Sequence, residues 1–194
     1  MARPKQFDPD NALDRAMHVF WHKGYEATSM DDLLTAMDIN RGSLYDTFGG
    51  KRELFLKAMD RYCSGGGIGS GISILKQSGP ALPLIRRFID HMLNFSLSDP
   101  LRRGCMITNT VMELAPHEKD IAGKVAGRLR LAEGAFFELL ARAKREGELA
   151  QDKDPRTLAR VLVTMMQGTI VMIKAGTPAN EVRQTARAAL AILR

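Results

Sequence analysis

The stretch TSMDDLLTAMDINRGSLYDTFGGKRELF, residues 28–55, has the pattern of two short helices joined by a tight turn and followed by the start of a third helix. Asp38-Ile39-Asn40 separates the first two helices, and Asn40 is a good cap for the second. Two short helices joined in this way form a helix-turn-helix, whose second helix can enter the DNA major groove, although a helical hairpin in a protein core has the same pattern. Apolar residues recur along the stretch at helical spacing: Leu33, Leu34, Ala36, Met37, Ile39, Leu44, Tyr45 and Phe48.

The residue types within this stretch are more specific than the spacing. The string Ile-x-Arg-Gly-Ser-Leu-Tyr-x-x-Phe-x-x-Lys-x-x-Leu, residues 39–54, resembles the signature of the TetR family of bacterial repressors. The close resemblance covers about residues 8–62, and the rest of the chain is similar in length and helical character. Two departures are Gly49-Gly50, where the family often has Pro-Ser, and Asp46, which places a negative charge on the recognition helix.

The resemblance implies an all-α protein of two domains. Residues 1–62 are expected to form a helix-turn-helix DNA-binding head, and residues 63–194 a helical body for ligand binding and dimerisation. In the family the last two helices form a four-helix dimer interface. Here they carry Leu158, Val161, Leu162, Met165, Val182, Ala186, Ala189 and Leu190.

Candidate DNA contacts follow from the residue types and from the resemblance. Arg41 can reach a guanine edge, and Ser43 a base or a phosphate. By resemblance, Tyr45, Thr28 and Lys51 contact the DNA backbone. The full predicted set is Thr28, Arg41, Gly42, Ser43, Tyr45, Thr47 and Lys51, with a solvated surface side chain as the alternative at each contact.

Composition limits the class of protein. The chain has 194 residues, enough for a substantial core, and no uninterrupted apolar run of membrane-spanning length or signal peptide is visible. Two cysteines do not suggest a secreted disulfide scaffold, so a cytoplasmic location is expected.

The net charge of +6 does not identify the DNA-binding region. Residues 1–62 hold nine Lys and Arg against ten Asp and Glu, a net of −1, whereas residues 63–194 hold nineteen against twelve, a net of +7. Phosphate contact needs cations at particular positions rather than a basic domain, and Arg3, Lys5, Arg41, Lys51 and Arg52 supply them. The excess on the body is interpreted as a solvated surface.

Nine helices are predicted along the whole chain. The glycine-rich segment SGGGIGSGIS, residues 64–73, is predicted to be a hinge or loop, because glycine is a poor helix former. Five helices follow it, over about 82–97, 104–114, 117–146, 155–175 and 179–193.

The body offers a candidate ligand pocket but no catalytic constellation. Methionine adapts to irregular apolar ligands, and a soft cavity is predicted from Met92, Phe95, Cys105, Met106, Phe136, Met165, Met166 and Met172, with plain core as the alternative. The spacing of His91, Glu113, His117 and Glu118 matches no metal-ligand motif, and no triad, phosphate loop or carboxylate pair is present. The sequence therefore predicts no enzyme, metal or cofactor.

Cys105 is the most specific residue of the body. Arg102-Arg103-Gly104-Cys105 places a thiol at a helix start beside two arginines, a setting that lowers a thiol pKa and raises reactivity. Gly-Cys at this point also resembles a TetR subgroup, some of whose members sense electrophiles or oxidants through this cysteine. The alternative is a small buried apolar residue.

Together these features predict a homodimeric, DNA-binding repressor that a small-molecule or thiol-reactive inducer releases from a palindromic DNA operator. The alternatives are an all-helical small-molecule-binding or thiol-redox protein without DNA binding, and an activator of the same fold.

Overall fold

The computed structural model describes residues 7–65 and 68–193, with the side chains of 68–70 left out, and it divides the chain into two compact units, residues 1–65 and 66–194. We call these units the head and the body. In the described residues the chain forms ten α-helices, a closing 3₁₀ turn and no strand, which confirms the predicted all-α class. The helices are α1 (Pro9–Lys23), α2 (Met30–Met37), α3 (Arg41–Phe48), α4 (Lys51–Ser64), α5 (Ile68–Leu75), α6 (Ala81–Ser98), α7 (Met106–Glu113), α8 (Lys119–Arg145), α9 (Pro155–Lys174) and α10 (Ala179–Ala189), with the 3₁₀ turn over Leu190–Leu193.

Local capping sets the three helix starts of the head that matter for the site. Asp8 accepts a hydrogen bond from the backbone N–H of Asp10, with Pro9 at the first position of α1. Ser29 and Asp32 form a reciprocal capping box at the start of α2. The side chain of Asn40 accepts a hydrogen bond of 2.8 Å from the N–H of Ser43 and so begins α3.

The head has its own core, which α1 and α4 build together. Phe20 of α1 and Phe55 of α4 meet edge to face with ring centroids 5.1 Å apart, and Leu33, Leu44 and Leu54 are fully buried around them. At the rim, the guanidinium of Arg61 donates two hydrogen bonds, of 2.7 and 2.8 Å, to the carboxylate of Asp14. The hydrogen bond from Arg61 lowers the pKa of Asp14, so this pair stays charged as it ties α4 to α1.

The second part of the glycine-rich segment, residues 68–73, is helical, and the prediction of a loop is wrong there; residues 66–67 of that segment lie outside the described residues. Residues 68–75 form α5, which packs on α6. This additional helix raises the number from the predicted nine to ten. A Cβ atom at Gly71 would lie 2.9 Å from Cδ2 of His91 and 3.1 Å from Cε2 of Phe88. The glycine therefore lets two helices approach closely, and this tertiary packing outweighs its poor helix propensity.

The remaining helices of the body pack around a core of aliphatic, methionine and phenylalanine side chains. Phe88 of α6 meets Phe136 of α8 edge to face at 5.2 Å. The carboxylate of Glu148, in the loop before α9, accepts hydrogen bonds of 2.8–3.0 Å from the N–H of Ala81 and so caps the start of α6. This long-range cap fixes the α8–α9 connection against α6.

By length and composition alone, α9 is apolar enough to cross a membrane, with a mean hydropathy of 1.2 over 18 residues. The 18 residues contain two charged side chains, whereas the sequence analysis looked for an apolar run that no charge interrupts. A core helix of a water-soluble protein passes the same test. Leu158, Leu162, Met166, Ile170 and Ile173 of α9 are buried inside the body, as expected of such a core helix.

The glycine packing generates a test of the body's stability. We expect Gly71→Ala to lower the free energy of unfolding by about 1–3 kcal/mol, because the added methyl group overpacks the α5–α6 contact. Gly134→Ala in α8 is the matched control, since no atom lies within 4 Å of its added Cβ. That control should raise the free energy of unfolding by about 0.5–1 kcal/mol. Urea denaturation measures both, and equal stabilisation by the two changes would contradict the packing argument.

Candidate nucleic-acid interface

The orientation of α3 is set by two buried side chains one turn apart. Leu44 and Phe48 are buried in the head's core. Tyr45, although adjacent to Leu44, is 48% exposed, and Arg41 and Asp46 are exposed as well. The helix therefore presents a polar face outward, as a recognition helix must.

The turn before α3 is tight because Asp38 adopts the left-handed conformation, with φ 55° and ψ 49°. Asp38 ends α2 there, and Asn40 begins α3 two residues later. The predicted break at Asp38-Ile39-Asn40 is therefore confirmed, and the two helices form the compact pair that the sequence predicted.

Arg41, the predicted base contact, stands at the first position of α3. Its Nη2 atom lies 3.7 Å from Oδ1 of Asp31, at the start of α2, and both side chains are mostly exposed. An exposed pair of this length contributes little to stability. The guanidinium can therefore leave Asp31 for a base edge or a phosphate, but it has to break this pair to do so.

The start of α4 is suited to a phosphate. Gly50, at the N-cap position of α4, makes no side-chain capping hydrogen bond, and the N–H groups of a helix start can bind an anion. The ammonium of Lys51 lies 4.5 Å from the centroid of the Tyr25 ring, which holds the charge at this end of the helix. Gly50 is buried, and a Cβ atom there would lie 3.2 Å from Oε2 of Glu53 and 3.6 Å from Cε1 of Tyr45, so a carboxylate and the tyrosine ring both border the same helix start.

Thr28 is not presented to DNA as the family resemblance implied. It is 1% exposed, and its hydroxyl donates a hydrogen bond to the carbonyl of Gly24. Its side chain thus fixes the turn between α1 and α2. Contact of the Thr28 hydroxyl with a phosphate would require that bond to break, so we withdraw this residue from the predicted contacts.

The other predicted contacts on α3 differ in access. Gly42 is exposed, whereas Ser43 and Thr47 are half-buried. The N–H of Ser43 is already used by the Asn40 cap, which leaves its hydroxyl for contact. Arg41, Gly42 and Tyr45 are consequently the most accessible of the predicted contacts on α3, and Lys51 at the start of α4 is half-buried.

Sequence reasoning missed the pairing of Asp32 with Lys23 beside this surface. Lys23, at the end of α1, donates a hydrogen bond of 2.6 Å to the Asp32 carboxylate, which also serves the capping box of α2. The hydrogen bonds from Lys23 and Ser29 lower the pKa of Asp32 to about 2. Because the folded pKa lies below the ordinary value, the stabilisation is present above that value and is lost only as the pH falls towards 2.

The predicted ligand residues lie in the body on or beside α6, α7, α8 and α9. Met92, Cys105, Met106, Phe136 and Met166 are buried, Phe95 and Met165 are half-buried, and Met172 is exposed on α9. Burial of the first five is what either an apolar pocket or a plain core requires, so the pocket stays a prediction. In the described residues, no group of three His, Cys, Asp or Glu side chains is arranged to hold a metal ion.

Cys105 occupies the predicted helix start but not the predicted environment. It caps α7 and is buried, with only 4% of its surface exposed. The guanidinium of Arg103 donates to the carboxylate of Asp99, at 3.1 Å for the closest pair of atoms, rather than standing free beside the thiol. Burial acts to raise the pKa of Asp99, but the hydrogen bonds from Arg103 outweigh it and lower that pKa. Of the two interpretations that the sequence left open for Cys105, the structure therefore favours the small buried apolar residue over the accessible thiol, because the α7 start is packed inside the body.

Comparison with known proteins covers both units. Residues 12–58 match the family model described as bacterial regulatory proteins, tetR family, and residues 81–190 match the model described as tetracyclin repressor-like, C-terminal domain. The chain is 40% identical to an uncharacterised HTH-type transcriptional regulator, YezE of Bacillus subtilis, over 84% of both chains. It is 30% identical to the HTH-type transcriptional repressor ComR of Escherichia coli, over 95% of this chain and 88% of ComR.

A solved structure with bound DNA is also similar. A cysteine-substituted variant of the TetR family transcriptional regulator CifR, in complex with 26-bp double-strand operator DNA, superposes with a TM-score of 0.90. The match covers 100% of both chains at 29% identity.

The α4 start generates a prediction about the DNA backbone. Lys51→Ala should weaken binding to all DNA sequences alike and reduce the slope of log affinity against log salt by about one unit. Tyr45→Phe should also weaken binding without changing sequence preference, because it removes only the hydroxyl. Lys76→Ala removes an exposed lysine of the body and is the control. Fluorescence anisotropy of labelled DNA at several salt concentrations gives the affinities. Unchanged binding in both head variants would show that the proposed face does not dock on DNA.

The Arg41–Asp31 pair generates a second DNA-binding prediction. Arg41→Ala should cost about 1–3 kcal/mol on the preferred DNA sequence and relax the preference at one base position. Asp31→Asn should have the opposite sign, a roughly two- to fivefold tighter binding, because it frees Arg41 and removes a negative charge near the phosphates. Weaker DNA binding by a folded Asp31→Asn protein would contradict this assignment.

Proposed function

The chain belongs to the TetR family of bacterial transcriptional regulators, and from this membership we propose that it is a homodimeric repressor that a small-molecule inducer releases from a palindromic DNA operator. Members of the family are transcriptional regulators, and we assign the chain no enzymatic activity. We also propose that it acts in the cytoplasm, where bacterial DNA lies.

The outward face of α3 is the observation that carries the proposal. Burial of Leu44 and Phe48 leaves Arg41 and Tyr45 exposed beside the uncapped start of α4 and Lys51. One helix thus offers a base-reading side chain, while its neighbour offers a phosphate site. The similarity to the DNA-bound CifR variant over the whole chain supports the same use of this face.

The exposed side of α9 supports a dimer. Val161, Met165, Gly168 and Met172 follow one another at spacings of four, three and four residues, which places them on one face of the helix. Val161 and Met172 are 37% and 51% exposed and Met165 is half-buried, so the described residues of the protomer leave much of this face uncovered. No atom lies within 4 Å of a Cβ added at Gly168, which leaves room for a partner helix to approach closely. We call these four residues the α9 stripe.

The structure corrects part of the predicted dimer set. Leu158, Leu162, Val182, Ala186 and Leu190 are buried inside the protomer, because the opposite faces of α9 and α10 form the body's core. A charge at Ala186 would therefore unfold the body rather than test the dimer. Three residues of the predicted dimer set are not buried and can still contact a partner protomer: Val161, Met165 and Ala189.

A two-fold dimer explains why the proposed operator is palindromic. Two heads related by two-fold symmetry read the same half-site in opposite directions, at centres one DNA turn, or about 34–36 Å, apart. An inducer that favours another spacing of the heads lowers operator affinity, and by linkage the operator lowers inducer affinity equally.

For the inducer we retain a conventional apolar ligand rather than a thiol-reactive one. The buried methionines and Phe136 are the candidate surroundings for such a ligand. Burial of Cys105 argues against direct reaction as the trigger.

Selection of bound DNA from a random pool with purified full-length protein tests the proposed function. We expect an enriched palindrome with half-sites one turn apart. Enrichment of no sequence, with small-molecule binding retained, would instead favour a binding protein without DNA recognition. Transcription from a promoter that carries the enriched palindrome then separates repression from activation.

The α9 stripe generates the assembly prediction. The unmutated protein should sediment as a dimer without DNA, and Met172→Glu should shift it towards the monomer, because the interface would bury an unpaired carboxylate. Leu131→Glu is the matched control, since Leu131 is 61% exposed on α8 and lies off the stripe. Sedimentation velocity and circular dichroism together give assembly and folding. A stable monomer for the unmutated protein, or a dimer for Met172→Glu, would reject this interface.

A further inference from the structure

A groove runs between α6 and α10 on the surface of the body. Its volume is about 510 Å³, within the range of about 300–1,000 Å³ that small-molecule sites occupy. None of its lining residues belongs to the predicted DNA contacts or to the interior methionine set. The groove is lined by Arg86, Ile89, Asp90, Leu93, Ala186, Arg187, Ala188, Leu190 and Ala191.

The floor of the groove is apolar. Ile89 and Leu93 of α6 and Ala186 of α10 are each at most 2% exposed, and Leu190 closes the end of the floor. Because Ile89, Leu93 and Ala186 expose almost none of their surface, the apolar surface that a ligand can cover belongs to Ala188 and Ala191, which are exposed, and to Leu190, which is 9% exposed. A hydrocarbon that covers these side chains removes apolar surface from solvent.

The rim of the groove carries two cations and one anion. Arg86 of α6 and Arg187 of α10 are exposed, and neither makes an ion pair or hydrogen bond among the described residues. Asp90 is the only carboxylate of the lining, so the rim has a net positive charge. The body as a whole adds to this field, with nineteen Lys and Arg against twelve Asp and Glu in residues 63–194.

We propose that the α6–α10 groove binds a small amphiphilic carboxylate, with its hydrocarbon tail along Ala188, Leu190 and Ala191 and its carboxylate against Arg86 and Arg187. A guanidinium donates charge-assisted hydrogen bonds to a carboxylate, and the stems of both arginines extend the apolar walls. A neutral head group gains less from the same donors, and an ammonium head is repelled by them.

Three probes with the same tail test the charge requirement. Octanoate, octanol and octylammonium are titrated into the full-length protein by isothermal calorimetry. We expect octanoate to bind at least about fivefold more tightly than octanol, and octylammonium to bind more weakly than both.

Four variants then locate the site. Arg86→Gln and Arg187→Gln should each weaken octanoate binding about fivefold and leave octanol unchanged. Arg87→Gln, which removes the same charge from the neighbouring residue outside the groove, should leave octanoate binding within about twofold of the unmutated protein. Ala188→Phe fills the groove without changing its charge and should abolish binding of both octanoate and octanol.

Two results would overturn the proposal. One is octanoate binding that ignores Arg86, Arg187 and Ala188, since the carboxylate would then occupy another part of the protein. The other is loss of the dimer in Ala188→Phe with no octanoate binding to the unmutated protein, since a second copy of the chain would then cover the groove. Neither result depends on operator binding, which the DNA selection measures separately.

Discussion

Burial of Leu44 and Phe48 is the constraint on which the DNA-binding face depends. The two side chains stand one turn apart on an eight-residue helix, and their packing in the head's core fixes the rotation of α3 about its axis. Each contributes about 1.5–3 kcal/mol of burial free energy. A rotated α3 would lose that burial and place the charge of Arg41 or Asp46 in the core. The outward position of Arg41 and Tyr45 is thus decided by folding, before any DNA is present.

The head was predictable from its sequence because the interactions that shape it are local. The Ser29–Asp32 capping box and the Asn40 cap each join residues three positions apart. At the end of α2, the backbone N–H of Asp38 donates to carbonyls three and four residues before it. A short motif can specify such contacts completely. Thr28 shows the limit of this reasoning. Its hydroxyl has a carbonyl of its own turn and a DNA phosphate as competing acceptors, and only the folded turn shows that Gly24 takes it.

The body was less predictable because its interactions join residues far apart in the chain. The glycines of α5 signal a loop by propensity, yet Gly71 is needed where α5 meets Phe88 and His91 of α6. Similarly, periodicity shows that α9 is apolar but not which of its faces the protomer covers. Leu158 and Leu162 turn inward and Val161 turns outward, a difference set by α8 rather than by residue type. Burial of Cys105 follows from the same kind of contact, since Gly104 just before it packs on Lys174 and Ile170 of α9.

The ion pairs of individual arginines show which positive charges stabilise the fold and which are available to a ligand. Net charge does not show this difference. Arg61 is held by Asp14, and Arg103 by the buried carboxylate of Asp99; in both cases the hydrogen bonds to the acid are near 3 Å. Such pairs hold the fold together. Breaking the Arg103–Asp99 pair would leave a buried carboxylate without its ion-pair partner, whereas the Arg61–Asp14 pair is partly exposed. Arg41 has only a long, exposed pair with Asp31, and Arg86 and Arg187 have none among the described residues. Charges without a structural partner lie, among other exposed positions, on the outward face of α3 and on the rim of the α6–α10 groove. A head with a net charge of −1 is compatible with DNA binding, because phosphate contact needs a few cations at particular positions rather than a basic domain.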